Sequence, residues 1–320
     1  MPISGVGSTL AVGVETTWGT GVTPTRRYPF VSESLVDSPS RIEPTNLRAG
    51  GRLMTTSDWR PGITTVAGST EMQLYDSGEL MLFKAMMGTG GTTGAGPYVH
   101  EFNPTAALSS YTIQVAYGGD TSVPMKTFTG MVVSSWEMAL EAGSEASLSL
   151  SWIGKDMATT NTGTPGGTYV SAPAMYTFID GVVTYGGSSA GCVRSIRFAG
   201  DNAQDASRVC IGSSAPSQPI ESARRTYNGT MDVEFETFAG AVAAATAGTE
   251  AELKLLLTVG ASTSNLSIGA NVRCDGGTPP VAGPDVVVAS IPFTVTIPAS
   301  GDYAAKGMRI VATNGESAIG

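Results

Sequence analysis

Ser189 offers the first chemistry to weigh. It lies in Gly187-Ser188-Ser189-Ala190-Gly191, the Gly-x-Ser-x-Gly spacing that can present a serine nucleophile on a sharp strand-to-helix turn. That chemistry needs a histidine base and a helix after the turn. The chain holds one histidine, His100. The residues that follow, Val193-Arg194-Ser195-Ile196-Arg197-Phe198, read as a strand. The spacing therefore predicts a serine-glycine turn. A hydrolase using Ser189 or paired carboxylates is carried as the alternative from a different class. His100 falls between Tyr98 and Phe102 in an expected strand, where a hydrogen-bonded structural role is predicted, since one histidine cannot build a multi-histidine metal site. Ile153-Gly154-Lys155-Asp156 lacks the upstream glycine and the following Ser or Thr of a phosphate loop. The glycine run from Gly88 to Gly96 has no lysine and opens no helix, so it is expected to be a flexible loop rather than a nucleotide site. Cys192, Cys210 and Cys274 are odd in number and widely spaced, which gives neither a disulfide framework nor a zinc site. They are expected as reduced, part-buried thiols. No cofactor, metal or catalytic residue is predicted.

Carboxylates in regular alternation are the second candidate. Asp232, Glu234 and Glu236 alternate with Val233 and Phe235; Glu71 and Gln73 alternate with Met72 and Leu74; Glu137 and Glu141 alternate with Trp136, Met138 and Leu140. Two carboxylates across a strand pair can do acid–base work, but nothing apolar surrounds these to form a pocket. Period-two alternation reads first as the hydrated face of a half-buried sheet.

The elements that must position these residues are mostly strands. Trp136, Met138 and Leu140 share one face, with Leu148, Leu150 and Trp152 after the turn Ala142-Gly143-Ser144, which predicts a β-hairpin. One helix is predicted before it. Asp76 is expected as its cap with Glu79 three residues on, Leu80, Phe83, Lys84 and Met87 recur at helical spacing, and Gly88 ends it. A second helix is expected between Phe238 and Gly248.

The second half restates the first. Val66–Leu74 leads into the first helix as Tyr227–Phe235 leads into the second, and Gly68 and Gly229 lie 229 − 68 = 161 positions apart. Tyr111–Val115 finds a weaker partner in Leu266–Ala270. Arginine-bearing stretches (Arg41, Arg48, Arg52, Arg60; then Arg194, Arg197, Arg208, Arg224, Arg225) each precede an acidic one. A tandem duplication is the expectation, with a first domain over 1–160 and a second over 161–320, joined through the Thr-, Gly- and Pro-rich stretch Lys155–Pro173. Chance likeness among β-rich sequences is the competing explanation.

Composition narrows the class. Hydrophobic residues make up 41% of the 320, charged residues 14%, and glycine occurs 41 times. Abundant Thr, Ser, Val and Gly favour short strands and tight turns. A net charge of −9 argues against gripping nucleic acid, because phosphate binding needs clustered Lys and Arg. No segment of signal length or membrane-span length is read in the sequence.

One ordered set of segments adds a resemblance. Gly13-Val14-Glu15-Thr16-Thr17-Trp18-Gly19-Thr20 continues through Thr23-Pro24-Thr25-Arg26 to Pro29-Phe30-Val31-Ser32-Glu33-Ser34-Leu35. Ser57-Asp58-Trp59-Arg60-Pro61-Gly62 and Gly68-Ser69-Thr70-Glu71-Met72-Gln73-Leu74-Tyr75 follow. In this order and spacing, over roughly residues 5–155, the chain resembles the tail tube (major tail) proteins of long, non-contractile-tailed bacteriophages. The resemblance implies a mainly β fold of tube-type sandwich or barrel domains, each with one short helix, closing into a ring-shaped barrel on oligomerisation. It implies a structural virion protein, assembled in the bacterial cytoplasm, whose stacked rings carry the genome to the host. Implied partners are further copies of the chain, the tail tip or baseplate and tail terminator proteins, and the tape-measure protein and then DNA in the lumen, with no membrane. Two tandem domains per chain imply a trimeric, pseudo-sixfold ring; one would need a hexamer. On this reading Glu71, Gln73, Glu137, Glu141, Asp232, Glu234 and Glu236 are the candidate lumen residues. Arg41, Arg48, Arg52 and Arg60 are the candidate inter-subunit or inter-ring residues. Another β-rich virion protein, for decoration or a fibre, is the nearer alternative.

Overall fold

The computed structural model describes residues 4–45, 53–118, 123–236, 240–260, 264–276, 279–281 and 283–319. The chain is mainly β with two short helices. In its first half run β1 (Thr9–Val14), β2 (Arg26–Tyr28), β3 (Ser32–Glu33), β4 (Val36–Ile42), β5 (Arg60–Gln73), α1 (Leu80–Met87), β6 (Thr89–Thr93), β7 (Tyr98–Asn103), β8 (Tyr111–Ala116), β9 (Pro124–Glu141), β10 (Ser147–Gly154) and β11 (Asp156–Thr162). The second half holds β12 (Gly181–Tyr185), β13 (Ser188–Ser189), β14 (Val193–Asp201), β15 (Gln204–Asp205), β16 (Ile220–Glu221), β17 (Thr226–Glu234), α2 (Ala241–Ala247), β18 (Glu250–Val259), β19 (Ser264–Cys274), β20 (Val288–Val295) and β21 (Met308–Asn314).

The same pairings recur in both halves. In the first, β1 pairs with β2 and β8, β9 with β8, β10 and β11, and β5 with β10 and β4. In the second, β12 pairs with β13 and β18, β19 with β18, β20 and β21, and β17 with β20 and β14. All are antiparallel. By this pattern the counterpart of β8 is β18, so Leu266–Ala270, which lies in β19, is not the partner of Tyr111–Val115. Two further pairings, β9 with β14 and β7 with β21, join the halves.

The 18-residue strand β9 serves two layers. Its first part pairs with β8 and β11 and its last part with β10 and β14. The change falls at Gly130, whose φ of 67° favours glycine. Glu15, only 6% exposed, holds this bend. Its Oε1 accepts from Gly130 N and Thr112 Oγ1, both at 2.9 Å, and its Oε2 from Gly19 N at 2.8 Å. Trp18 closes the same corner, donating from Nε1 to Gly130 O at 3.3 Å beneath the Lys155 ammonium. A buried carboxylate is tolerated because backbone and hydroxyl donors replace its water.

Several local expectations hold. The β9–β10 hairpin sets Leu148 opposite Met138 and Leu150 opposite Trp136. Gly88 ends α1 with φ 93°. His100 is fully buried on β7, between Thr92 Oγ1 at 2.9 Å and Asn314 Oδ1 at 3.2 Å.

Others are corrected. Asp76 does not cap α1. The helix begins later, with Glu79 at the cap position and no side-chain cap bond; Asp76 instead accepts from Ala174 N at 3.0 Å, tying down the linker. The stretch after Gly88 opens with strand β6, because β7 offers it a complete ladder. β11 fills the first part of the expected joint Lys155–Pro173, since β9 supplies it a paired edge. Cys192 and Cys210 are exposed and Cys274 is buried in the core strand β19. Of the stretch expected as a second helix, α2 covers Ala241–Ala247, and 237–239 lie outside the described residues.

Glu79 is nearly fully buried, and burial pushes its carboxyl well above the usual carboxylate range. Glu316 and Asp76 push the same way; its own backbone and Arg26 pull back. Glu316 belongs to the C-terminal segment, which docks here through Arg26 and Gly78 N, at 2.7 and 2.8 Å. A carboxyl raised in the folded state binds its proton more tightly there. Its stabilising contribution is therefore complete below the ordinary carboxylate range and is lost as pH rises through the raised value.

Two outcomes follow. Glu15→Ala strands buried N–H groups and is expected to lose on the order of 3 kcal/mol of stability in denaturant unfolding. Glu79→Gln is expected to raise the melting temperature at pH 8 by several degrees more than at pH 4, measured by thermal unfolding of both proteins.

Candidate functional site: the polar face of the long sheet

Seven strands follow one another in the order β4–β5–β10–β9–β14–β17–β20. Antiparallel register turns local alternation into rows that cross the whole sheet. One row runs Glu71, Ser149, Glu137, Ala199, Asn228, Thr294. The next runs Gln73, Ser147, Ala139, Arg197, Thr230, Pro292. Further rows are Glu141, Ser195, Asp232, Ser290, and Ser69, Ser151, Ser135, Asp201, Thr226. Glu234 continues the alternation of β17 opposite Val288.

The reverse face is apolar and buried: Met72, Leu148, Met138 and Phe198 form one row, and Leu140, Ile196, Met231 and Ile291 another. Two glycines let large rings meet across this face. Trp136 and Tyr227 flank Gly200 with centroids 5.5 Å apart, and Phe198 and Phe293 flank Gly229 at 5.4 Å. A Cβ at Gly229 would stand 2.0 Å from the Arg197 carbonyl oxygen and 2.4 Å from the Phe293 ring. Small residues beneath such rings fix which side of each strand faces inward.

The register brings Glu71, Gln73, Glu137, Glu141, Asp232 and Glu234 onto one face. Glu236 is not in that set: β17 ends at Glu234, Phe235 N makes one more bond, to Val287 O at 2.8 Å, and Glu236 lies exposed past it. Asp201 belongs to the face and was missed, because the alternate residues before it on its strand are Ser195, Arg197 and Ala199 rather than acids. Two arginines were missed too. Arg197 pairs with Glu137, and Arg194, in the bulge at the start of β14, pairs with Glu234 at 2.9 Å. Ser195 donates to Asp232 at 2.8 Å and Ser32 to Glu71 at 2.9 Å. The face is thus acidic and hydroxyl-rich, with these guanidiniums held against carboxylates.

Its chemistry is that of a hydrated surface. The depression over Glu137, Arg197, Ser149 and Ser151 has a volume of about 280 Å³ and is open. Ser189 lies exposed on β13, its Oγ accepting from Gly191 N at 3.3 Å. Both ring nitrogens of His100 are engaged with Thr92 and Asn314, so Ser189 has no histidine base. Among the described residues no cluster of three His, Cys, Asp or Glu side chains is arranged to hold a metal. No described helix is long and apolar enough to cross a membrane.

Arg41 and Arg60 sit at the outer end of the β4–β5 hairpin, where both strands are largely exposed. Arg41 lies over the Trp59 ring at 5.2 Å. Arg48 and Arg52 lie outside the described residues.

Compared with known protein families, residues 5–295 match the family described as phage tail tube protein. No curated protein matches the chain.

The ion pair of Arg197 with Glu137 is solvent-facing, with 55% and 35% of the two side chains exposed. Arg197→Ala is therefore expected to cost about 0–1 kcal/mol in denaturant unfolding.

Proposed function

The chain belongs to the phage tail tube protein family, and on that premise we propose that the polar face of the β5–β10–β9–β14–β17 sheet lines the bore through which the genome passes. Proteins of this family are structural rather than catalytic, and the family implies self-assembly into a virion tail. The observation that carries the finer reading is the register. Six carboxylates on four strands (Glu71; Glu137 and Glu141; Asp201; Asp232 and Glu234) share one hydrated face whose reverse is the core.

A DNA conduit must not hold its cargo. Duplex DNA carries one phosphate charge per roughly 1.7 Å of axis, so free cations along a wall would bind it. Arg194 and Arg197 are already neutralised by Glu234 and Glu137. The unpaired remainder is acidic, repels the duplex, and keeps a water layer through the serine rows between.

We further propose that the chain is two tandem tube domains, the first ending with β11. The recurrent pairings support this. So does the spacing: β5 ends at Gln73 and β17 at Glu234, α1 begins at Leu80 and α2 at Ala241, and 234 − 73 = 241 − 80 = 161. The β9–β14 ladder joins the two domains within the chain, and a like joint between chains, from β19, the counterpart of β9 beside β20, to β4 of the next copy, closes the ring. Three chains then give a pseudo-sixfold ring. Arg41 and Arg60, with Arg48 and Arg52, serve the contacts between copies. Tail tip, terminator and tape-measure proteins are the other partners of such a tube, assembled in the host cytoplasm.

Cryo-electron microscopy of the purified protein tests this. Expected are hollow filaments about 100 Å wide, from two β layers about 10 Å apart around a duplex-wide bore. Three chains per ring are expected, with Glu71, Glu141 and Asp232 facing the bore. Filaments with these side chains on the outside would sink the conduit assignment, and six chains per ring the trimer.

A further inference from the structure

The two helices are alike in place but unlike in cover. α1 is buried along its length except at Lys84, and Met86 and Met87 are fully enclosed. On α2, Ala243, Thr246 and Ala247 are exposed, as is the capping Gly248. The connection between β14 and β17 makes the difference. From it, Asn202 Nδ2 donates to Met86 O at 3.1 Å, Arg225 Nη1 to Met87 O at 3.1 Å, and Arg225 Nη2 to Ala106 O at 2.7 Å. Tyr227 fixes Asn202 by donating to its Oδ1 at 3.1 Å, and Glu221 pairs with Arg225. The second half of the chain thus satisfies the carbonyl end of the first half's helix, which would otherwise carry unpaired acceptors.

Among the described residues nothing equivalent reaches α2 itself; Tyr185 Oη donates only to Thr249 O, past its end, at 3.4 Å. Among the described residues no side chain donates to the carbonyls of Thr246 or Ala247. By the pairing pattern, the counterpart of the β14–β17 connection is the β4–β5 connection, which belongs to the opposite end of the long sheet. Among its mostly polar described residues three large apolar side chains are exposed: Leu53 at 90%, Met54 at 52% and Trp59, beneath Arg41, at 41%. Arg60 opens β5 and Arg225 directly precedes β17, although by the 161-residue spacing Arg60 matches Glu221, four residues before Arg225.

We propose that α2 is the docking site for the segment Leu53–Arg60, which leads into β5, of a second copy of this chain. Trp59 and Met54 cover the small, flat surface of Ala243 and Ala247, and Arg60 donates to the carbonyl end of α2 as Arg225 does to α1. This deepens the tube reading, resting on its tandem domains, and assigns one subunit contact to named side chains. The occupant is a second copy because the chain itself uses the corresponding connection in the corresponding place, on α1.

Cross-linking separates this contact from the tube as such. Trp59→Cys and Ala247→Cys are combined with Cys192→Ser and Cys210→Ser, leaving only the buried native Cys274. Disulfide formation is read on denaturing gels, both from filaments and from concentrated soluble protein. A ladder of linked chains, absent from either single-cysteine parent, is expected, since the bridge requires Cα atoms within about 7 Å. Filaments without the ladder overturn the docking and leave the tube standing. A ladder without filaments keeps the docking and overturns the tube; neither overturns both. Arg60→Ala and Ala247→Glu, with far-UV spectrum and melting temperature unchanged, are each expected to slow assembly about tenfold or more, the scale of a lost interface anchor. Wild-type assembly by both would also overturn the docking.

Discussion

The bend of β9 at Gly130 is the constraint on which the rest of the structure depends. A strand of 18 residues can feed two layers only if its backbone turns without losing its hydrogen bonds. Gly130 supplies the positive φ, and Glu15 accepts its N–H from the end of β1. On one side of the bend β9 belongs with β8 and β11; on the other it receives β10 and β14. Loss of that turn would leave β14 without its neighbour and divide the long sheet between the halves. The segment Gly13–Thr20 is therefore a structural staple: Glu15, Trp18 and Gly19 all act at this corner.

From the bend onward, register does the work. Side chains alternate with period two, so a slip of one residue would expose the core row and bury the acids. The Trp136–Tyr227 and Phe198–Phe293 contacts across Gly200 and Gly229 oppose such a slip, because the rings fit only over a residue without a Cβ. The polar face inherits its order from the core behind it. Carboxylates that belong to strands far apart in sequence come to lie in rows, and Arg197 comes to face Glu137.

Much of this was legible locally. The β9–β10 hairpin, α1 with its Gly88 stop, and the two faces of β5, β9 and β17 all follow from spacing within a dozen residues. The errors share a cause as well. Asp76 looked like a cap because its partner, Ala174, lies 98 residues on; the Gly88–Gly96 run looked like a loop because the partner that makes it a strand, β7, carries the pattern instead. Glu236 continued an alternation that runs just beyond the end of β17, past the last bond from Phe235 N to Val287 O.

The sequence by itself determined the class of the protein: short alternating strands, an acidic balance, no catalytic histidine environment, and an ordered block of segments that a family shares. Those are properties of composition and local period. Only the tertiary structure decided that six of the acids lie on one face, that Arg194 and Arg197 are tied to Glu234 and Glu137 there, and that α1 is covered while α2 is not. Each depends on pairings between residues 40 to more than 100 positions apart. Such contacts leave no local period, because they are set by which strand edges and helix ends remain to be satisfied once the core has closed.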